Sequence, residues 1–157
     1  MHPYAAALGD RDVLASLSST PTEYATIAAT LTPAEFDRRA APGKWSIAEQ
    51  LRHLAQTEMA FGVRVRMALT TPRYVVQPFD QDAWMAREPV VAGREAFEIY
   101  AAIRRLNLPL FKSLSTEDRA RPFTHPEYGP ITVWWVVQTL AGHELHHLSQ
   151  IRALVGR

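Results

Sequence analysis

Apolar residues recur at helical spacing through most of this chain, and helix-start signals divide the pattern into four long segments. The first covers residues 10–31. It contains Thr20-Pro21-Thr22-Glu23, itself a helix start, so it is either one kinked helix or two stacked pieces. Thr32-Pro33-Ala34-Glu35 repeats the signature and predicts a short helical turn. The second segment opens at Ser46, with Glu49 completing a capping box and Trp45 placed to staple the first turn. Ile47, Leu51, Leu54, Phe61 and Val65 form its apolar stripe, which ends near Leu69, before Thr71-Pro72.

Residues 70–93 are rich in Pro and Asp, and the stretch is longer than loops of compact domains usually are. It reads as a crossover with a helical turn at residues 82–86, anchored by a buried Trp84. The third segment, residues 93–114, places Phe97, Tyr100, Ile103, Leu106, Leu110 and Leu114 on its expected buried side. Pro109 removes a backbone donor and is expected to kink it. Ser115 caps a further turn through Asp118. The fourth segment starts after Gly129-Pro130, with Thr132 as cap, and runs to Val155. Residues 131–137 are β-branched and aromatic, so a strand competes there. The unbroken spacing of Leu140, Leu145, Leu148, Ile151 and Leu154 favours a helix.

The expected fold is all-α, a four-helix bundle in one domain over residues 1–157. Its helices run up-down-down-up, because the long crossover between the second and third lets those two run parallel.

A chain of 157 residues can bury a core without disulfides or a metal. Lys plus Arg total 17 against 16 Asp plus Glu, so no basic field points to nucleic acid or an anionic membrane. No apolar run approaches the roughly 20 residues needed to span a bilayer. Cysteine is absent, which excludes disulfides, thiolate metal ligands and a cysteine nucleophile. Met1-His2-Pro3-Tyr4 lacks the pattern of a secretory signal, and a cytoplasmic location is expected. Trp134 and Trp135 cannot both face one core, so one is expected in a homodimer contact.

The chemistry concentrates in His143-Glu144-Leu145-His146-His147. His143 and His147 lie about 40° apart and about 6 Å along one helix face, at about 1.5 Å per residue. That face also carries Val136, Leu140, Gln150, Ile151 and Leu154. Two imidazoles directed into an apolar core need partners, and one cation satisfies both. His146 lies well around the helix. A third ligand is wanted, and His53 falls in the same layer if the second and fourth helices are antiparallel. Glu58 also sits on the apolar side of the second helix. It is expected either behind a metal-bound histidine or in an ion pair with an arginine of a neighbouring helix.

The cluster also satisfies H-E-x-x-H, in which Glu144 would be the base of a metalloprotease. The ten residues after His147 contain no His, Asp or Glu to complete such a site. Helical geometry instead places Glu144 off the core face, as a solvated residue. Glu144 and His125, in the loop before the fourth helix, are the weak catalytic candidates.

Gly43-Lys44-Trp45-Ser46-Ile47-Ala48-Glu49-Gln50-Leu51-Arg52-His53-Leu54, followed by Glu58, resembles the second-helix motif of the DinB-like superfamily. Residues 125–132 and 143–151 resemble its C-terminal signature. The resemblance implies a four-helix bundle holding a divalent metal (zinc, nickel or iron) on His53, His143 and His147. It also implies a small-molecule substrate, including low-molecular-weight thiols, and metal-dependent transferase, isomerase or hydrolase chemistry. The alternative is a non-catalytic, stress-related metal-binding bundle. Glu144 stands where the family often has Asp.

Overall fold

The computed structural model describes residues 1–156. Four long helices form the body: α2 (Val13–Thr30), α3 (Ile47–Thr70), α5 (Gly93–Ser113) and α7 (Val133–Val155). Three short helices accompany them: α1 (Ala5–Leu8), α4 (Gln81–Arg87) and α6 (Thr116–Ala120). A 3₁₀ turn covers Pro33–Asp37. The anticipated caps form. Ser46 accepts from the Glu49 amide while Glu49 accepts from the Ser46 amide, and Thr132 accepts from the Trp135 amide.

Two apolar clusters fill the bundle. Val13, Leu17, Val65, Phe111, Val136 and Leu140 belong to one; Tyr24, Ile47, Leu51, Tyr100, Leu148 and Ile151 belong to the other. In chain order α2 and α7 pass from the first cluster to the second, while α3 and α5 pass from the second to the first. The helices therefore run up-down-down-up, as expected.

A polar layer separates the clusters. The fully buried Arg104 of α5 donates to Glu58 of α3, to Glu144 of α7 and to the Leu17 carbonyl of α2. Thr20 of α2 donates to Glu144 at 2.7 Å, and Asn107 donates to Glu58 at 2.9 Å. Burial opposes the charge on Arg104, but Glu144 and Glu58 outweigh it and hold the guanidinium above its usual pKa. Burial pushes the Glu144 carboxyl up to about 7, against the pull of Arg104.

This layer accounts for Pro21. The chain stays helical through Thr20-Pro21 as one element rather than two pieces. A proline at position 21 leaves the Leu17 carbonyl without its helical donor. Arg104 supplies the missing bond at 2.7 Å. α5 likewise passes Pro109 as one element, and the residue whose carbonyl it frees, Arg105, is exposed.

Three expectations are corrected. The buried side of α5 is Ala96, Tyr100, Arg104, Asn107 and Phe111, whereas Leu106 is 67% exposed. Two polar side chains required by the central layer rotate the helix away from its apolar stripe. Trp84 is only half-buried, tilted against Phe79 at 4.6 Å, and Met85 is the buried residue of α4. Finally, residues 122–132 form a hairpin of β1 (Pro122–His125) and β2 (Gly129–Thr132), turning at Gly129 with φ +69°. The strand signal at Ile131 was therefore real but ended at the cap of α7.

The segment joining α3 to α5 is held at two places. Tyr74 and Val76 exchange backbone bonds with Thr124 of the hairpin. Arg52 of α3 donates to the carbonyls of Met85, Glu88 and Pro89. The N-terminus is pinned at α7, where a Cβ on Gly142 would come within 2.4 Å of the Tyr4 carbonyl oxygen. No helix of the described residues is long and apolar enough to cross a membrane.

Removing Arg104 alone strands two buried carboxylates. Arg104→Met is expected to cost about 3–5 kcal/mol in urea unfolding. Replacing Glu58, Arg104 and Glu144 together by apolar residues is expected to cost far less than the single change.

Candidate metal centre

α3 and α7 run antiparallel, which places the second turn of α3 beside the middle of α7. His53 meets His143 and His147 there, with the three residues 2%, 4% and 6% exposed. The Nε2 atoms of His53 and His143 lie 3.0 Å apart, and those of His147 and His143 lie 3.1 Å apart. One nitrogen of each ring lies within 4.8 Å of the others.

A neutral imidazole has one N–H and one lone pair. Gln50 Oε1 lies 3.2 Å from His147 Nδ1 and accepts its proton, which leaves the Nε2 lone pair facing the cluster. The Nδ1 atoms of His53 and His143 have no hydrogen-bond partner among the described residues. Three rings whose Nε2 atoms converge cannot all satisfy one another, because each contact between two of them needs one donor and one acceptor. A single divalent ion can. Zinc–nitrogen bonds of about 2.0–2.1 Å set tetrahedral nitrogens roughly 3.4 Å apart, close to the two separations seen here. The donor set therefore fits a metal.

Burial also keeps the rings neutral, the state a ligand requires. It pushes His53 down to about 4 and His147 down to about 3, the latter helped by His53 and His146. His143 is driven well below its usual value by burial, then by His147 and His53. Aromatic rings close the surroundings. Trp45 lies 4.7 Å from His53, so it shields a candidate ligand as well as preceding the helix cap. Tyr4 lies edge-on to His143 at 4.9 Å.

His53 and His143 line a cavity of about 180 Å³, bounded also by Phe61, Arg64, Phe79 and His125. His147 and Gln50 border a larger cavity of about 530 Å³ on the other side. His125, at the end of β1, is thus brought to the cavity of two triad rings. Its Nδ1 accepts from the Glu127 amide at 3.2 Å, and burial followed by Arg64 lowers its pKa.

Glu144 is not the solvated residue expected from helical geometry. It is fully buried, bound to Arg104 and Thr20 in the central layer. Those bonds occupy both of its oxygens, which removes it as the free base of an H-E-x-x-H protease. Glu58 adopts the ion-pair alternative, with Arg104 as partner. His146 stays outside the triad and bonds Gln150 at 2.9 Å. Sequence reading missed Gln50 and Arg64. Both were legible in principle: His53, Thr57, Phe61 and Arg64 share one face of α3, and Gln50 is one turn before His53.

The lowered histidine pKa values carry a pH dependence. The unfolded chain binds protons near pH 6.5 that the folded triad refuses, so stability is present above 6.5 and is lost as pH falls toward 4 and 3. Glu144 works oppositely, adding stability at low pH that is lost as pH rises through about 7. Three rings outweigh one carboxyl. Chelator-treated protein is expected to lose melting temperature between about pH 6.5 and 4, less steeply in His147→Leu, by calorimetry.

Comparison with known proteins agrees with this geometry. The family model of the DinB superfamily matches residues 16–151. A protein of Oceanobacillus iheyensis named "Putative metal-dependent hydrolase" is 28% identical over 124 residues, spanning 78% of this chain and 72% of its own. A relative of the same name from Bacillus pumilus is 24% identical over 144 residues, spanning 90% of this chain and 82% of its own. Among solved structures, YfiT from Bacillus subtilis is described as a probable metal-dependent hydrolase with an unusual four-helix bundle topology. It matches with a TM-score of 0.82 at 21% identity, covering 90% of this chain and 83% of that one. The match spans the helices that carry the candidate ligands, and this chain belongs to the DinB superfamily.

Proposed function

We propose that His53, His143 and His147 hold one divalent ion through Nε2, and that the chain is a metal-dependent enzyme acting on a small molecule. The observation that carries this reading is the convergence of the Nε2 atoms of three buried imidazoles, 3.0 and 3.1 Å apart, which meet no other hydrogen-bond partner among the described residues. Hydrolysis is the reaction favoured by the names of the relatives. Thiol-dependent transfer or isomerisation is the second reaction the same site would suit. Zinc, nickel and iron are all compatible with three histidines.

A bound ion would supply Lewis acidity to a water or a substrate atom. The chain's own residues do the rest. Gln50 fixes the tautomer and orientation of His147. Tyr4 and Trp45 keep water from the backs of His143 and His53. His125 accepts a proton bond at Nδ1, so its neutral ring carries the proton on Nε2. Its Nε2–H is the cavity's candidate hydrogen-bond donor to substrate, with the ring positioned by the Glu127 amide rather than by the metal.

Elemental analysis after zinc, nickel or iron loading is expected to find one ion per chain in the wild type and far less in His53→Ala. Gln50→Leu is expected to keep the fold and weaken metal affinity about 10–100-fold. A wild type that takes up none of the three ions would overturn the proposal. An ion bound with no exchangeable water would leave a structural metal and remove the enzyme reading.

A further inference from the structure

Arg64 plays no part in the metal site or the central layer. It is 9% exposed, yet it forms no hydrogen bond and has no carboxylate within 4.0 Å among the described residues. Every other buried arginine is matched: Arg104 by two carboxylates and Arg52 by three carbonyls. The Arg64 guanidinium instead lies over the ring of Phe61 at 4.9 Å and that of Phe79 at 5.6 Å. These faces hold the cation in place, and none of its five N–H donors finds a protein acceptor among the described residues. The group borders the same cavity of about 180 Å³ as His53 and His143.

The helix sets the distance between the two. Arg64 follows His53 by 11 residues on one face of α3, about 16 Å along the axis. Its side chain leans back toward the helix N-terminus and shortens that gap. The cavity thus has imidazoles at one end and, at the other, a cation that feels Glu127 and Tyr74 at a distance but has no direct ion-pair partner among the described residues.

We infer that Arg64 is the substrate's anion clamp, and that the cavity takes a slender organic monocarboxylate with its carboxylate on Arg64 and its reacting end toward the histidine triad. One guanidinium with no accompanying lysine matches a single negative charge. A phosphate dianion would be left half-neutralised in a mostly aromatic cavity. Glu127 borders the cavity but is exposed, and it repels a dianion more than a monoanion. Burial, then Arg64, favours the neutral form of His125, and the remaining titratable side chains of the lining, Tyr4, Tyr128, His53 and His143, add no second positive charge. Only the assignment of the anion to a substrate rests on the metal-dependent reading. The clamp itself does not.

The test is titration calorimetry of benzoate, benzamide and inorganic phosphate on the chelator-treated protein and again on the zinc-loaded protein. Benzoate is expected to bind the wild type at least tenfold more tightly than benzamide, and more tightly than phosphate, in both forms. Arg64→Gln should erase the preference over benzamide, and Arg64→Lys should retain part of it. Arg119→Gln, at the distant cation over Trp134, should leave it unchanged. Equal binding of benzoate and benzamide by the wild type overturns the clamp without need of a variant, as does tighter binding of phosphate. A protein that takes up no metal but discriminates benzoate through Arg64 sinks the metal reading and leaves the clamp standing.

Discussion

Four helices meet on one buried guanidinium. Arg104 reaches a carboxylate on α3, a carboxylate on α7 and a backbone carbonyl on α2 from its own position on α5. A charge so placed tolerates little error, because slipping any helix by one turn, about 5.4 Å, would leave an ion buried without its partner. The apolar clusters above and below accept many arrangements of similar volume. The polar layer accepts one, and that specificity makes the bundle a scaffold for chemistry.

The histidine cluster inherits its register from this layer. Adjacent residues on a helix point about 100° apart. Glu144 and His143 therefore serve different neighbours from consecutive positions, the first facing Arg104 and the second facing His53. On α3, Glu58 and His53 divide the same two tasks. The ion-pair layer and the histidine cluster stand back to back, and fixing the first aligns the second. Preorganisation of this kind lets three neutral rings converge without the chain having to rearrange around an ion.

Less regular parts of the chain complete the cavity. The hairpin carries His125 to its mouth, backbone bonds with Tyr74 and Val76 bring the connecting segment and Phe79 alongside, and the N-terminal turn lays Tyr4 on His143. These pieces surround a position where the long helices alone would leave an open groove. They place aromatic faces around Arg64 and the triad, in surroundings shielded from bulk water, where electrostatic interactions are strongest.

Local signals were enough to mark the four long helices, their caps and the pairing of His143 with His147 one turn apart, because capping and helical periodicity act over a few residues. The direction of each helix and the place of His53 followed from the length of the connection and from axial position. Tertiary structure decided the rest. A pattern that sorts residues by polarity sends Arg104, Asn107 and Glu144 outward, yet each is buried because its partner waits on another helix. The same blindness hid the reason for Pro21, whose freed carbonyl is completed by a residue more than eighty positions away. It hid the surroundings of Gln50 and Arg64 as well, one bonded to His147 and the other laid over Phe61 and Phe79. Periodicity along one helix can say which side chains share a face, but only the neighbouring elements determine what that face meets.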